Sequence, residues 1–352
     1  MPVINVGIIG CGKIAALRHA PEFSANNGCR LVGFYDFVPF RAQALADQFD
    51  AKAFGSMQCL IDNVDAVSIC TANNAHAAAT IQALNCGRHV LCEKPMATTL
   101  KDCEDMAQAA RAAGRVLMLG HDQLFMPVHQ KARALIAAGA IGRPITFRTT
   151  FAHAGPESWT GTGNTWFFDK RRAAMGALGD LGIHKTDLIR FLLGEDIVRV
   201  NAVTATLNKT YPDGSPITVD DNAVCIYEME SGATGTMQVS WTSYGMAEDN
   251  STRICGTEGT LHIMEDPALP LILETKDGAR ECWPPDALLP MEAHRIGTGV
   301  IDAFLSAVDG EPSPADSTSA LRSMRAIFAA EESALTGRAI TIRHYNHEEE
   351  YQ

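Results

Sequence analysis

Two rhythms of apolar and polar residues follow one another along the chain. Through the first ~120 positions, short unbroken apolar runs alternate with longer stretches whose apolar residues recur every three or four places. The runs cover 3–9, 31–35, 66–70, 89–92 and 116–119. They are rich in Val, Ile and Leu, as strands buried on both faces should be. The stretches 14–25, 39–48, 75–85 and 100–113 read as the helices between them. Such alternation predicts a parallel sheet covered on both sides.

After Gly120 the rhythm changes. A helix over 128–138 stops at Gly139, and alternating strands dominate from Pro144 onward. Segments 223–229 and 233–241 flank Glu230-Ser231-Gly232 and read as a hairpin; 252–255 and 260–264 flank Gly256-Thr257-Glu258-Gly259 and read as another. Helices are expected over 178–193, 299–308 and 319–335, with a loop at Pro284-Pro285 and a frayed acidic tail at 347–352. Val224, Ile226, Met237, Val239 and Trp241 together suggest more apolar sheet surface than one core face buries. A homodimer or homotetramer built on that sheet is the expectation.

Composition narrows the class without naming it. At 352 residues there is room for two cores. The net charge of −12, from 29 Lys and Arg against 41 Asp and Glu, argues against broad contact with nucleic acid or anionic membrane. No apolar run is long enough to span a bilayer, and 3–9 reads as a strand where a signal peptide would begin, so a cytoplasmic setting is expected. The ten cysteines are scattered and form no CxxC pair, which predicts reduced, mostly buried thiols. Cys92 is the one placed for chemistry, but no activating base is evident beside it.

Gly10-Cys11-Gly12-Lys13-Ile14-Ala15 follows a predicted strand and opens a predicted helix, the context that gives a GxGxxA pattern meaning. Gly10 permits the tight turn, Gly12 lets a pyrophosphate approach the backbone, and Ala15 allows close helix–strand packing. The phosphates would sit at the helix N-terminus, with Lys13 and Ile14 in the cofactor set. Asp36 ends the second strand, 24 residues after Gly12, where a carboxylate accepts hydrogen bonds from ribose hydroxyls and repels a 2′-phosphate. NAD is therefore favoured over NADP; Arg41, one turn on, keeps NADP open, and Asp36 as a cap for the helix at Pro39 is the structural alternative. The fold these features predict is α/β: an N-terminal Rossmann domain over 1–122 and a C-terminal α+β domain over 123–352, with a large, mostly antiparallel open sheet for substrate binding and oligomerisation.

Lys94 follows the 89–92 strand, whose C-terminal end should face the ligand crevice. A lysine there can hold a substrate hydroxyl and stabilise a developing alkoxide. Asp180, His184 and Asp187 are spaced i, i+4 and i+7, one face of a helix. Histidine is the natural proton acceptor near neutral pH, and a neighbouring carboxylate supports its charged form. Helix capping by Asp180 with a packed His184, or a metal site on DxxxHxxD, are the competing readings. The second lacks a further ligand cluster, and no metal is expected.

Glu93-Lys94-Pro95, the glycine turn and Asp180-Leu181-Gly182-Ile183-His184 together resemble the Gfo/Idh/MocA oxidoreductases, NAD(P)-dependent sugar and inositol dehydrogenases, along nearly the whole chain. The resemblance implies a triad of Lys94, Asp180 and His184, with His184 taking the hydroxyl proton as hydride leaves the same carbon. It places Thr71, Asn73 and His76 beside the nicotinamide, though Ala72 stands where proline is usual, and it makes His153 a pocket residue. Glu93 and Lys94 complete the cofactor set. Trp166 could offer a sugar ring a flat face, and Arg171 and Arg172 could bind hydroxyls or an acidic group. Ala174-Met175-Gly176 and Asp122-Gln123-Leu124-Phe125 depart from the family pattern, which bears on substrate choice. The reaction expected is hydride transfer between a secondary hydroxyl of a cyclic polyol or sugar and NAD. A related enzyme using transient oxidation for elimination or glycoside cleavage, and a silent dinucleotide-binding regulator, are the alternatives.

Overall fold

The computed structural model describes residues 3–245, 247–288 and 299–343, so the tail at 347–352 lies outside the described residues. The chain divides into two compact units. One runs to Phe125 and takes in Arg171–Ala174 and 299–321; the other holds the rest.

The first unit is built on six strands, all paired in parallel: β1 (Ile4–Ile9), β2 (Cys29–Tyr35), β3 (Lys52–Ala53), β4 (Ala66–Ile69), β5 (His89–Cys92) and β6 (Leu117–Leu119). Their order, β3-β2-β1-β4-β5-β6, reverses direction beside β1 and so defines a crevice at the strands' C-terminal ends. Val6, Ile8, Val67, Ile69, Val90 and Leu91 are fully buried. Each such side chain contributes roughly 1.5–3 kcal/mol of burial. That is why these runs read as strands apolar on both faces. β3 is two residues long and carries no such signature, so periodicity misses it. Helices Pro39–Gln48, His76–Asn85 and Leu100–Ala113 fall where the three- and four-residue spacing puts them. The last starts at Thr99, whose hydroxyl accepts the Asp102 N–H, and stops at Gly114 in the left-handed region. The edge at β6 is partly covered from later in the chain: the Leu119 N–H donates to Ala315 O at 2.9 Å.

The second unit carries nine strands among the described residues: β7 (Pro144–Ala152), β8 (Ile197–Ala205), β9 (Asn222–Met229), β10 (Thr234–Ser240), β11 (Thr252–Gly256), β12 (Gly259–Asp266), β13 (Leu269–Thr275), β14 (Arg280–Trp283) and β15 (Ile340–Thr341). Their order is β14-β13-β12-β11-β7-β10-β9-β8-β15, antiparallel throughout except for the β7–β10 pair. Both predicted hairpins, β9–β10 and β11–β12, are present. One face is buried under the helical stretch from Leu178 to Leu193, where Thr186 Oγ1 lies 2.9 Å from the buried Tyr227 hydroxyl. Register sorts the apolar residues of this sheet. Met237 lies opposite Cys225 and Val239 opposite Ala223, all four buried, and Trp241 is buried beyond them. Of the five residues expected to overload the sheet, Met237, Val239 and Trp241 therefore belong to the core. Only Val224 and Ile226 point outward, because alternation sends them to the opposite face. No helix among the described residues is long and apolar enough to cross a membrane.

Candidate active site

In the first unit the glycine turn closes over β1. Gly10 has φ +92°, and a Cβ there would lie 2.7 Å from the Cys70 carbonyl carbon and the Thr71 nitrogen. Only glycine allows this close pass. A Cβ on Gly12 would meet nothing within 4 Å, so the space a pyrophosphate needs is open. Asp36, buried at the end of β2, accepts the Cys11 N–H at 2.7 Å on one carboxylate oxygen and the Val38 N–H at 2.8 Å on the other. It therefore anchors the turn itself, and it caps no helix: the residue before Pro39 is Val38, which makes no side-chain cap. Each carboxylate oxygen keeps a second lone pair for a ribose hydroxyl. The residues present thus fit a dinucleotide. Burial, and then the Asp36 charge, push the Cys11 thiol up to about 12, so it is inert. Lys13 is exposed and Ile14 half-buried at the start of the helical segment.

That segment opens with a π turn over Ala15–His19, the Ala20 N–H reaching Ala15 O, before an α-helix over Ala20–Ala25. Pro21 supplies the reason. It has no N–H to donate backward and its ring crowds an α-turn, which a widened turn relieves.

The ends of β4 and β5 hold the other candidate cofactor contacts. His76 is fully buried, with Nδ1 2.9 Å from Pro95 O and Nε2 3.2 Å from Thr71 O. Burial lowers its pKa, so the ring is neutral and donates to one of the two carbonyls. It buckles the Thr71 segment to the Lys94–Pro95 segment, whose peptide bond is cis. Asn73 donates to Ala173 O at 3.1 Å, which ties the short segment bearing the exposed Arg171 and Arg172 to the same region. Glu93 is engaged by protein: Oε1 lies 2.8 Å from His19 Nε2, and Oε2 accepts the Lys94 N–H at 3.2 Å. Lys94 itself is half-buried. Cys92 is fully buried, and burial raises its thiol well above the usual range, which removes it as a nucleophile.

In the second unit the predicted helix begins as a π turn over Leu178–Gly182 and continues as an α-helix over Ile183–Leu193. Asp220 clamps its start. Its carboxylate accepts the Gly176 and Leu178 N–H groups, each at 2.8 Å, and its carbonyl accepts the Ala177 N–H at 3.0 Å. A Cβ on Gly176 would fall 1.7 Å from Asp220 O, so the turn requires glycine. Burial raises the Asp220 carboxyl to about 6 against the pull of those N–H bonds. Asp180, in the π turn, accepts from the Trp241 indole at 3.2 Å. His184 is buried, its ring edge-on to Phe151 at 5.7 Å, and His153 also meets Phe151 edge-on, at 5.8 Å. His153 Nδ1 accepts the Gly155 N–H at 2.9 Å, so its neutral form carries the proton on Nε2.

Asp187 accepts from Ser323 at 2.5 Å and joins a buried network in which Arg190 bonds Asp196 and Ser323. Trp166 stacks on Phe167 at 4.0 Å, and Phe167 meets Trp159 edge-on at 5.6 Å. Three residues that periodicity did not single out shape this region. Asp221 gathers the N–H groups of Leu207, Asn208 and Lys209. Lys209 reaches Ala154 O at 2.6 Å and pairs with Glu157, bracing the loop after His153. Lys185, fully buried beside His184, donates to Asn250 O at 2.9 Å, and burial brings its ammonium down to about 7. The only sequence signal for them is the Asp220-Asp221 doublet before a strand.

Residues 4–121 match the oxidoreductase family with an NAD-binding Rossmann fold, and 129–262 match the Gfo/Idh/MocA C-terminal domain. The 1,5-anhydro-D-fructose reductase of Ensifer adhaerens is 31% identical over 346 residues, 96% of this chain and 98% of that one. The myo-inositol 2-dehydrogenase of Thermotoga maritima is 26% identical over 79% of this chain and 80% of that one. Among solved structures, a levoglucosan dehydrogenase in complex with NADH and levoglucosan superposes with a TM-score of 0.83 at 28% identity, covering 97% of this chain and all of that one. With a dinucleotide turn of fitting geometry in one unit and matches running through both, the chain belongs to the Gfo/Idh/MocA family of NAD-binding oxidoreductases.

Proposed function

We propose that this oxidoreductase transfers a hydride between a secondary hydroxyl of a cyclic polyol or sugar and NAD, with residues 1–122 serving the cofactor and 123–352 the substrate. The observation that carries the reading is the pairing, on one helix, of an oriented carboxylate, Asp180 held by Trp241, with a buried imidazole, His184 held against Phe151. The names of the relatives, an anhydrofructose reductase, an inositol dehydrogenase and a levoglucosan dehydrogenase, point to the same substrate class.

When bound, NAD supplies the carbon that accepts the hydride. Lys94 donates a hydrogen bond to the substrate oxygen and stabilises the negative charge that grows there. His184 takes the hydroxyl proton on a ring nitrogen, and in the reverse direction returns it. Asp180 accepts from a substrate hydroxyl and supports the imidazolium. His153, with its proton on Nε2, and Trp166, stacked on Phe167, are the proposed contacts for the rest of the ring, with Arg171 and Arg172 for further hydroxyls or an acidic group. A polyol and sugar panel with NAD tests the reading. Accumulating NADH supports it. Conversion of substrate with the cofactor recycled makes oxidation one step of an elimination or cleavage, and no turnover leaves a dinucleotide-binding regulator.

We also propose a homodimer or homotetramer joined through the outer face of the second unit's sheet. Val203 lies opposite Val224 there, and Ile226 follows on the same strand, at 67%, 46% and 56% exposure. These residues form one apolar stripe over β8 and β9. A monomer by light scattering at micromolar concentration contradicts this.

A further inference from the structure

Behind Lys94, inside the first unit, runs a buried polar chain that the reaction as written does not use. Ser68 Oγ on β4 lies 2.7 Å from His19 Nδ1, His19 Nε2 lies 2.8 Å from Glu93 Oε1, and Glu93 Oε2 accepts the Lys94 N–H at 3.2 Å. We propose that the His19–Glu93 pair is a positioning site for Lys94, fixing its backbone and setting the electrostatic field at its ammonium. The proposal rests on the role given to Lys94 above.

Three features set this pair apart from an ordinary buried ion pair. It joins the helix that follows the dinucleotide turn to the end of the strand that presents Lys94, so one contact spans both parts of the cofactor half. Room for it is built into the backbone. A Cβ on Gly120, at the end of β6, would lie 3.0 Å from Glu93 Oε1. Both partners are also held charged. Burial alone would raise the Glu93 carboxyl, but His19, with Lys94 and His76, outweighs it and holds it at about 2. Burial opposes charge on His19, but Cys70 and Glu93 outweigh it and raise the ring to about 10. Other ionisable groups that act on Glu93 or Lys94 include His76, lowered by burial, Asp122, raised by burial and lying 3.7 Å from Arg18, Arg18 itself, and the buried Cys92 thiol. The Glu93 carboxylate is set apart by its bond to the lysine's own N–H.

The test reads Lys94 directly and needs no substrate. The full-length enzyme is acylated with acetic anhydride across a pH series, and modification of the Lys94 peptide is followed by mass spectrometry. Glu93→Gln keeps an acceptor for the Lys94 N–H but removes a negative charge that interacts with the Lys94 ammonium. The acylation midpoint is expected to move about one pH unit lower. His19→Gln leaves the carboxylate without its cation, and the midpoint moves the other way. The double variant follows Glu93→Gln, because without the carboxylate a buried imidazole at this position is neutral. A pair serving fold alone would move both single variants in one direction or neither, and that result in folded proteins overturns the proposal. Should His19→Gln fail to fold, Glu93→Gln decides by itself. Because labelling does not depend on turnover, a failed substrate panel and a failed positioning role remain distinct results.

Discussion

The two units solve the same problem, holding reactive groups still, with different materials. In the cofactor half the main chain forms the turn that fits a dinucleotide, held by one carboxylate, Asp36, that reaches back 25 residues to the Cys11 N–H. In the other half side chains hold the helix that carries Asp180. Asp220 clamps Gly176 across 44 residues, Trp241 orients Asp180 across 61, and Ser323 meets Arg190 across 133. A dinucleotide presents the same pyrophosphate and ribose to every enzyme of this kind, so a backbone template suffices. A substrate pocket that must discriminate among ring hydroxyls depends on side chains, and side chains need bracing.

The comparison can be broken at several points. The largest effect is expected at His184→Ala, which should lower turnover by ~10²–10⁴ while leaving NAD affinity nearly unchanged. Lys94→Ala should be similarly damaging to turnover. NADH production at saturating substrate, beside a cofactor titration, measures both, and a fully active His184→Ala enzyme would take the proton from His184 and assign it to Lys94. Next come two glycines with opposite outcomes. Gly176→Ala drives a methyl into Asp220 O and should cost about 3 kcal/mol or more of stability. Gly12→Ala fills open space and should leave stability within about 0.5 kcal/mol. It should nonetheless weaken NAD binding on the order of tenfold or more, because the methyl occupies the pyrophosphate's space. Denaturant midpoints and cofactor titrations separate the pair, and equal destabilisation by both would erase the contrast.

Asp36→Ala should weaken NAD roughly tenfold to a hundredfold, through loss of a charged acceptor worth ~1.5–3 kcal/mol, and should relax discrimination against NADP. A wild-type preference for NADP would contradict the role given to that carboxylate. The smallest effect is one of pH. The Asp220 carboxyl is raised from the usual 3.8 to about 6, so the folded state binds its proton more tightly than the unfolded state does. Its contribution to stability therefore falls as pH rises from about 4 to about 6. Asp220→Asn removes that dependence, so the melting temperature of the variant relative to wild type should climb over the same window. A difference that stays flat from pH 4 to 7 contradicts the raised value.

How much of this was legible beforehand follows the same division. The runs 3–9, 66–70 and 89–92 announced β1, β4 and β5 because parallel strands are buried on both faces, and the glycine turn was readable because its chemistry is local. The helix that carries Asp180 and His184 was visible by its periodicity, but the π turn beneath Asp180 was not, and nor were the contacts of Asp187 with Ser323 and Arg190. Composition could not separate Val224 from Met237 either; only the register of β9 on β10 did that. Glu93 shows the limit from the other side. The motif drew attention to it as a cofactor residue, while its partner, His19, lies 74 residues earlier in a helix where nothing in the periodicity singles out one polar position.

The Asp220-Asp221 doublet carries one more consequence. Just before β9, one carboxylate of this doublet serves the helix start at 176–178 and its neighbour serves the loop at 207–209. Two segments separated by some thirty residues thus share a single mechanical node. Their amides should exchange with solvent as one cooperative group, since opening either side requires displacing the same dipeptide. The segment that leads into Asp180 and the loop at 207–209 would then breathe together, and a ligand that stills one would still the other.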